Sequence, residues 1–249
     1  MRSQPTLGLA LGGGAAFGAA HLGVLQVLAA RRIRPGIVTG TSAGALVGAA
    51  YAAGMPLRTI ERTILDADWS TFGTFTLSPR LGLLDPSALA RTIERLGGDR
   101  LIEELPIRFG AVATDLLARR SIVITEGPLG QALEASMAVP GLFPPVRREG
   151  RLLVDGGVAA NLPLEAARAM GAKTVIAVRV RPEWEFLPIV RSAEGIAALE
   201  RDPSTILVHP DLSGYSQWSR ADVPQLIEAG RVAATEALRA AGWKHGAVA

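Results

Sequence analysis

The 249-residue chain has no cysteine, only three histidines (His21, His209, His245) and only two lysines, Lys173 and Lys244. Without cysteine there is no disulfide framework, no thiol nucleophile and no thiolate zinc or iron–sulfur site. Three scattered histidines make a multi-histidine metal centre a poor fit, so no metal or cofactor is expected. Aromatic residues amount to 5%, and nowhere do they interleave with a basic cluster, which argues against a nucleic-acid partner. Acidic residues are missing from the first 60 positions; the first is Glu61, whereas Arg2, Arg31, Arg32, Arg34 and Arg58 precede it. This mildly basic lobe suits an anionic lipid surface, a weak signal at a net charge of +3. The absence of cysteine also leads us to expect a cytoplasmic protein with, at most, peripheral membrane contact.

Hydrophobic residues make up 49% and charged residues 20%, a globular balance, and the length suffices for a full core. One uncharged run, Ser3–Ala30, is long enough to span a bilayer. Six glycines interrupt it, however, including Gly12-Gly13-Gly14, which break a helix near its middle. Its two halves also differ in period, and the run reads as a buried strand, a loop and a helix. Further along, strands are expected at Thr6–Leu11, Ile37–Thr39, Ile107–Ala113, Ser121–Thr125, Leu152–Val154, Thr174–Val180 and Ile206–Val208. Helices are expected near Gly18–Arg31, Ala43–Ala53, Leu57–Leu65, Pro86–Leu96, Leu129–Met137, Pro163–Met170 and Ala221–Ala241. Alternating units with apolar strands predict an α/β fold, a three-layer sandwich around a mostly parallel sheet. No repeat or linker divides the chain, so one domain over residues 1–249 is expected. Two aromatic stretches, Trp69–Leu84 and Trp184–Val190, read either as satellite packing or as lips around an apolar site.

Three glycine-flanked motifs could carry chemistry. The loop Gly12-Gly13-Gly14-Ala15-Ala16-Phe17-Gly18 joins a strand to a helix, where free N–H groups attract negative charge. A dinucleotide loop would need an acid about 20 residues later, and none stands there. Second, Gly40-Thr41-Ser42-Ala43-Gly44 lies between a strand and an apolar helix, the setting of a strained serine nucleophile. A helix-capping serine fits the same position. Third, Asp155-Gly156-Gly157 ends a strand, where it could be an ordinary turn or supply the carboxylate a serine nucleophile needs as base. A Ser…Asp…His triad is available in chain order through His209 or His245, but only 41 residues precede Ser42, too few for the strands that fold builds before its serine.

In this order the motifs resemble those of the patatin-like phospholipases, specifically the bacterial single-domain members. The likeness extends to His21-Leu22-Gly23-Val24-Leu25, Ala113-Thr114-Asp115, Ser136-Met137-Ala138-Val139-Pro140, Phe143-Pro144-Pro145 and Asn161-Leu162-Pro163, and is specific across residues 6–182. The resemblance implies a patatin-like fold and a Ser42–Asp155 dyad, with the N–H groups of Gly12, Gly13 and Gly14 as oxyanion hole and Gly40, Gly44, Gly156 and Gly157 as supporting positions. The substrate it implies is a lipid acyl ester of the phospholipase A or lysophospholipase type. An esterase or thioesterase for soluble acyl substrates, or a non-catalytic membrane-docking relative, are the alternatives. Two features depart from the family: Phe17 stands where an Arg or Lys is usual, and the stretch between Pro182 and Thr205 is short.

Overall fold

Leu7–Leu11 is buried at every position and forms β1, in the interior of an eight-stranded sheet. The protein is described by a computed structural model, and the described residues are 6–66, 99–181, 193–216 and 221–243. Trp69–Leu84, Trp184–Val190, the helix expected at Pro86–Leu96 and His245 lie outside them. The other strands are β2 (Ile37–Thr41), β3 (Arg108–Asp115), β4 (Arg120–Ile124), β5 (Val146–Arg148), β6 (Arg151–Asp155), β7 (Thr174–Val178) and β8 (Thr205–Val208). The helices are α1 (Ala19–Ala30), α2 (Ala43–Ala52), α3 (Leu57–Asp66), α4 (Leu129–Ser136), α5 (Leu164–Ala169), α6 (Ala193–Glu200) and α7 (Val223–Ala240). Strand order is β5-β6-β3-β2-β1-β7-β8, with β4 also paired to β3. The run β3-β2-β1-β7-β8 is parallel, while β4, β6 and β5 attach antiparallel at one side.

Side chains alternate across this sheet with the strand period of two. Leu7, Leu9, Leu11, Val38, Ile176 and Val178 enter the larger core with α1, α2, α4 and α7. Ala10, Ile37, Val175 and Ala177 enter a smaller core with α5 on the opposite face. These are the expected three layers, and the N-terminal run is indeed strand, loop and helix. Among the described residues no helix is long and apolar enough to cross a membrane. Sequence reading missed β5, three residues long and half-exposed, and α6. It also ended β2, β3 and β6 short of Thr41, Asp115 and Asp155, polar residues that the fold buries.

Helix α7 lies along α1, and the crossing is backbone to backbone. A Cβ on Gly23 would come within 1.9 Å of the Ile227 carbonyl oxygen, and one on Gly230 within 2.0 Å of that of Ala20.

Candidate active site

Between β2 and α2 the chain reverses so tightly that side chains are excluded on both sides of Ser42. A Cβ on Gly40 would lie 2.5 Å from the Ala45 nitrogen, and one on Gly44 2.2 Å from the Leu11 carbonyl oxygen. Ser42 itself is forced to φ 53°, ψ −122°, a conformation that costs a non-glycine residue roughly 1–3 kcal/mol. Its carbonyl starts α2 by accepting from the N–H groups of Ala45 (2.9 Å) and Leu46 (3.1 Å). Its side chain makes no capping bond, so the capping alternative fails and the half-buried hydroxyl is left outside the helix.

Strand β3 brings Asp155 to this turn. Its edge is shared in sequence by two strands: β2 ends with Thr41 opposite Val112, and β6, running the other way, ends with Asp155 opposite Ala113. Val112 and Ala113 are consecutive, so the residue that follows β2 and the residue that closes β6 meet at one point. Gly156 continues past that point, where a Cβ would come within 2.2 Å of the Val112 carbonyl oxygen. Two further bonds fix the backbone of Asp155: its N–H donates to the Ala138 carbonyl (2.9 Å), and its carbonyl accepts from the Thr114 hydroxyl (2.9 Å).

The Asp155 carboxylate is 4% exposed as a residue. Burial pushes its pKa up to about 6; the Ser42 hydroxyl, the Gly157 N–H and the charge of Arg181 hold back a larger rise. Oδ1 accepts from the Gly157 N–H at 2.7 Å, so the turn reading is also correct for that oxygen. Oδ2 is buried without a hydrogen-bond partner. The Ser42 hydroxyl lies close enough to favour the charged carboxylate, although Oδ2 accepts no hydrogen bond from it. Catalytic hydrogen bonds commonly tighten only when substrate binds.

The glycine loop lies against the serine: a Cβ on Gly13 would be 3.3 Å from the Ser42 Cβ and 2.6 Å from Asn161 Oδ1. Its N–H groups are not equivalent. That of Gly12 donates to the Val178 carbonyl (3.0 Å) and that of Gly13 to the Asn161 carbonyl (3.2 Å), whereas those of Gly14 and Ala15 have no partner among the described residues. Phe17 is half-buried against the larger core, and its N–H closes the loop on the Gly14 carbonyl (3.0 Å). A backbone bond of this kind is indifferent to the side chain, so the departure at Phe17 leaves the loop shape intact.

His21 lies beneath the loop, fully buried, with Nε2 2.7 Å from the Gly12 carbonyl oxygen. Burial lowers its pKa to about 4, so near neutral pH it is an uncharged donor to that oxygen. His209 is exposed just beyond β8, three strands from β2. Neither contacts Asp155 among the described hydrogen bonds.

Sequence reading assigned no role to Ser136, Asn161 or Thr114. Asn161 ties the glycine loop to the turn after Asp155, its Nδ2 donating to the carbonyls of Gly13 and Arg181 (both 3.3 Å). Among the described residues no group of His, Asp and Glu is arranged to hold a metal ion.

A family model described as patatin-like phospholipase matches residues 9–168. Over 190 residues the chain is 40% identical to patatin-like phospholipase domain-containing protein 6 of Homo sapiens, covering 72% of this chain and 14% of that protein. Over 186 residues it is 41% identical to an uncharacterised NTE-family protein of Mycobacterium tuberculosis, covering 71% of this chain and 49% of the relative. The chain therefore spans under half the length of either relative. Among solved structures, VipD from Legionella pneumophila superposes with a TM-score of 0.60 at 14% identity, over 96% of this chain and 67% of VipD. The type III effector ExoU gives 0.56 at 14% identity, over 97% and 54%. At such identity these two likenesses concern the fold.

Proposed function

The chain belongs to the patatin-like phospholipase family, and from that premise we propose that it is a serine lipid acyl hydrolase, of phospholipase A or lysophospholipase type. The observation that carries this reading is the meeting of a strained, uncapped serine and a buried, half-unpartnered carboxylate at the point on the β3 edge where β2 and β6 end. Ser42 Oγ attacks the acyl carbonyl while its proton passes to Asp155 Oδ2. The negative charge that develops on the carbonyl oxygen is received by backbone N–H groups of the glycine loop. The donors for this are the N–H groups of Gly14 and Ala15, which have no partner among the described residues, and Gly12 and Gly13 form the frame that aims them. One such donor is worth about 3 kcal/mol in the transition state. Asp155 then protonates the departing alcohol, and water, deprotonated in turn by Asp155, releases the fatty acid and restores the Ser42 hydroxyl.

A pKa of about 6 suits this role, because it makes the carboxylate a stronger base than an exposed aspartate yet leaves it ionised at pH 7. No metal or cofactor enters the scheme. Treating the protein with a lipid-like fluorophosphonate and mapping the adduct by peptide mass tests it: modification of Ser42, absent in Ser42→Ala, is expected. Ester turnover that persists in both Ser42→Ala and Asp155→Ala overturns it. Rates on monomeric and micellar esters of equal chain length separate a lipid substrate from a soluble acyl ester, with a sharp rise at the micelle threshold expected for lipid.

A further inference from the structure

One buried side chain touches the backbone of the serine turn without belonging to any of the three motifs. Ser136, the last residue of α4, is fully buried. Its Oγ accepts the Ser42 N–H at 2.9 Å and donates to the Val112 carbonyl at 2.7 Å. Val112 is the β3 residue opposite Thr41, at the point where the strand edge passes from β2 to β6. Two residues on, the Ala138 carbonyl holds the N–H of Asp155. The segment Ser136-Met137-Ala138 therefore grips the backbones of both members of the pair.

We infer that Ser136 is a positioning residue for the hydrolytic reaction: its hydroxyl clamps the strained Ser42 backbone to β3 in the register that faces Ser42 toward Asp155. The inference deepens the hydrolase reading and rests on it for the roles of Ser42 and Asp155. The chemistry of the clamp is specific. One atom must accept from an N–H and donate to a carbonyl in a space closed to solvent, and a hydroxyl is the smallest group that does both. Alanine strands the N–H and the carbonyl together and leaves a gap the size of one oxygen, too small for a water molecule to repair. Ser42 then loses its tie to β3, one of the restraints that hold it at positive φ, and a shift of about 1 Å at a reacting atom costs about 100-fold in rate.

The experiment compares Ser136→Ala and Ser136→Cys with wild type on a monomeric soluble ester, with kcat expressed per fluorophosphonate-titratable site so that misfolded protein does not count. Cysteine fills the site, with a sulfur somewhat larger than the oxygen it replaces, but hydrogen-bonds weakly, which covers the case in which the alanine variant fails to fold. The expected result is a kcat about 100-fold lower with KM within about twofold, and faster amide exchange at Ser42. The acid limb of the pH–rate profile moves upward, because Asp155 loses the hydroxyl that favours its charged form. Ser136→Thr, which keeps the hydroxyl, recovers part of the rate. A kcat per site within about threefold of wild type in the cysteine variant, or an unmoved acid limb with unchanged exchange at Ser42, overturns the positioning role. A wild type that takes no adduct at Ser42 overturns the hydrolase reading instead, and the positioning role with it.

Discussion

The glycines at the serine turn and those at the α1–α7 crossing meet the same steric demand and answer to different ends. At Gly44 a Cβ would strike the Leu11 carbonyl at 2.2 Å; at Gly230 it would strike that of Ala20 at 2.0 Å. In both places two backbones touch, and only hydrogen fits. Around Ser42 the closeness sets a carboxylate and a loop, whose Gly14 and Ala15 N–H groups have no partner among the described residues, beside one hydroxyl. Between α1 and α7 it joins two helices into a layer. Glycine in a sequence thus marks close approach; what the approach accomplishes depends on the polar groups that ring it.

Replacing Ser42 by Ala sharpens the contrast most. Turnover should fall by about 10⁴-fold or more, with the melting temperature within a few degrees of wild type, as read by ester assay and calorimetry. Gly230→Val should do the reverse. Overpacking a backbone contact costs about 3 kcal/mol, which lowers the melting temperature by about 10 °C in a chain of this size, while activity per folded molecule stays near wild type. A Gly230→Val protein that is stable but inactive would erase the distinction between the regions. Gly13→Ala, which thrusts a methyl at Asn161 Oδ1, should fall between them, losing about 100-fold in kcat for a modest loss of stability.

Protonation divides the molecule along the same line. Asp155 has its pKa raised to about 6 in the fold, so the native state binds the extra proton between about pH 4 and 6. Its contribution to stability is full below that window and is lost as the pH rises through it, to the extent of about 3 kcal/mol. His21 is lowered to about 4, and its effect runs the other way: stability is lost as the pH falls from about 6.5 to 4. In wild type the two slopes oppose each other. Asp155→Asn should therefore be more stable than wild type at pH 8 and should lose stability steeply on acidification, where wild type changes little; thermal melts across this range decide. The same carboxylate predicts that kcat/KM falls below about pH 6. The smallest effect is expected of Phe17→Arg: since the loop closes through the Phe17 N–H, turnover of a neutral ester should stay within about threefold, and a larger change would give that side chain a part in the site.

Most strands were legible because a buried parallel strand is a short apolar run between glycines, and that signal is local. The strand ends were not, since Thr41, Asp115 and Asp155 are polar residues whose burial is licensed only by partners on other elements. Ser136 was legible as part of a likeness and illegible in its role, for nothing within α4 announces that its hydroxyl meets the Ser42 N–H.

What the sequence determined by itself is therefore local: a glycine loop between strand and helix, a serine between small residues, a carboxylate before two glycines. Short-range sterics suffice for each of these, because a tight reversal admits few residue types. The tertiary structure alone decided that β2 and β6 end side by side on β3, that the N–H groups of Gly12 and Gly13 are spent within the fold while those of Gly14 and Ala15 have no partner among the described residues, and that Asp155 is buried deeply enough for its pKa to rise to about 6. Each depends on which distant backbone groups and how much solvent surround a residue, and burial and strand register are set only when the whole sheet has closed.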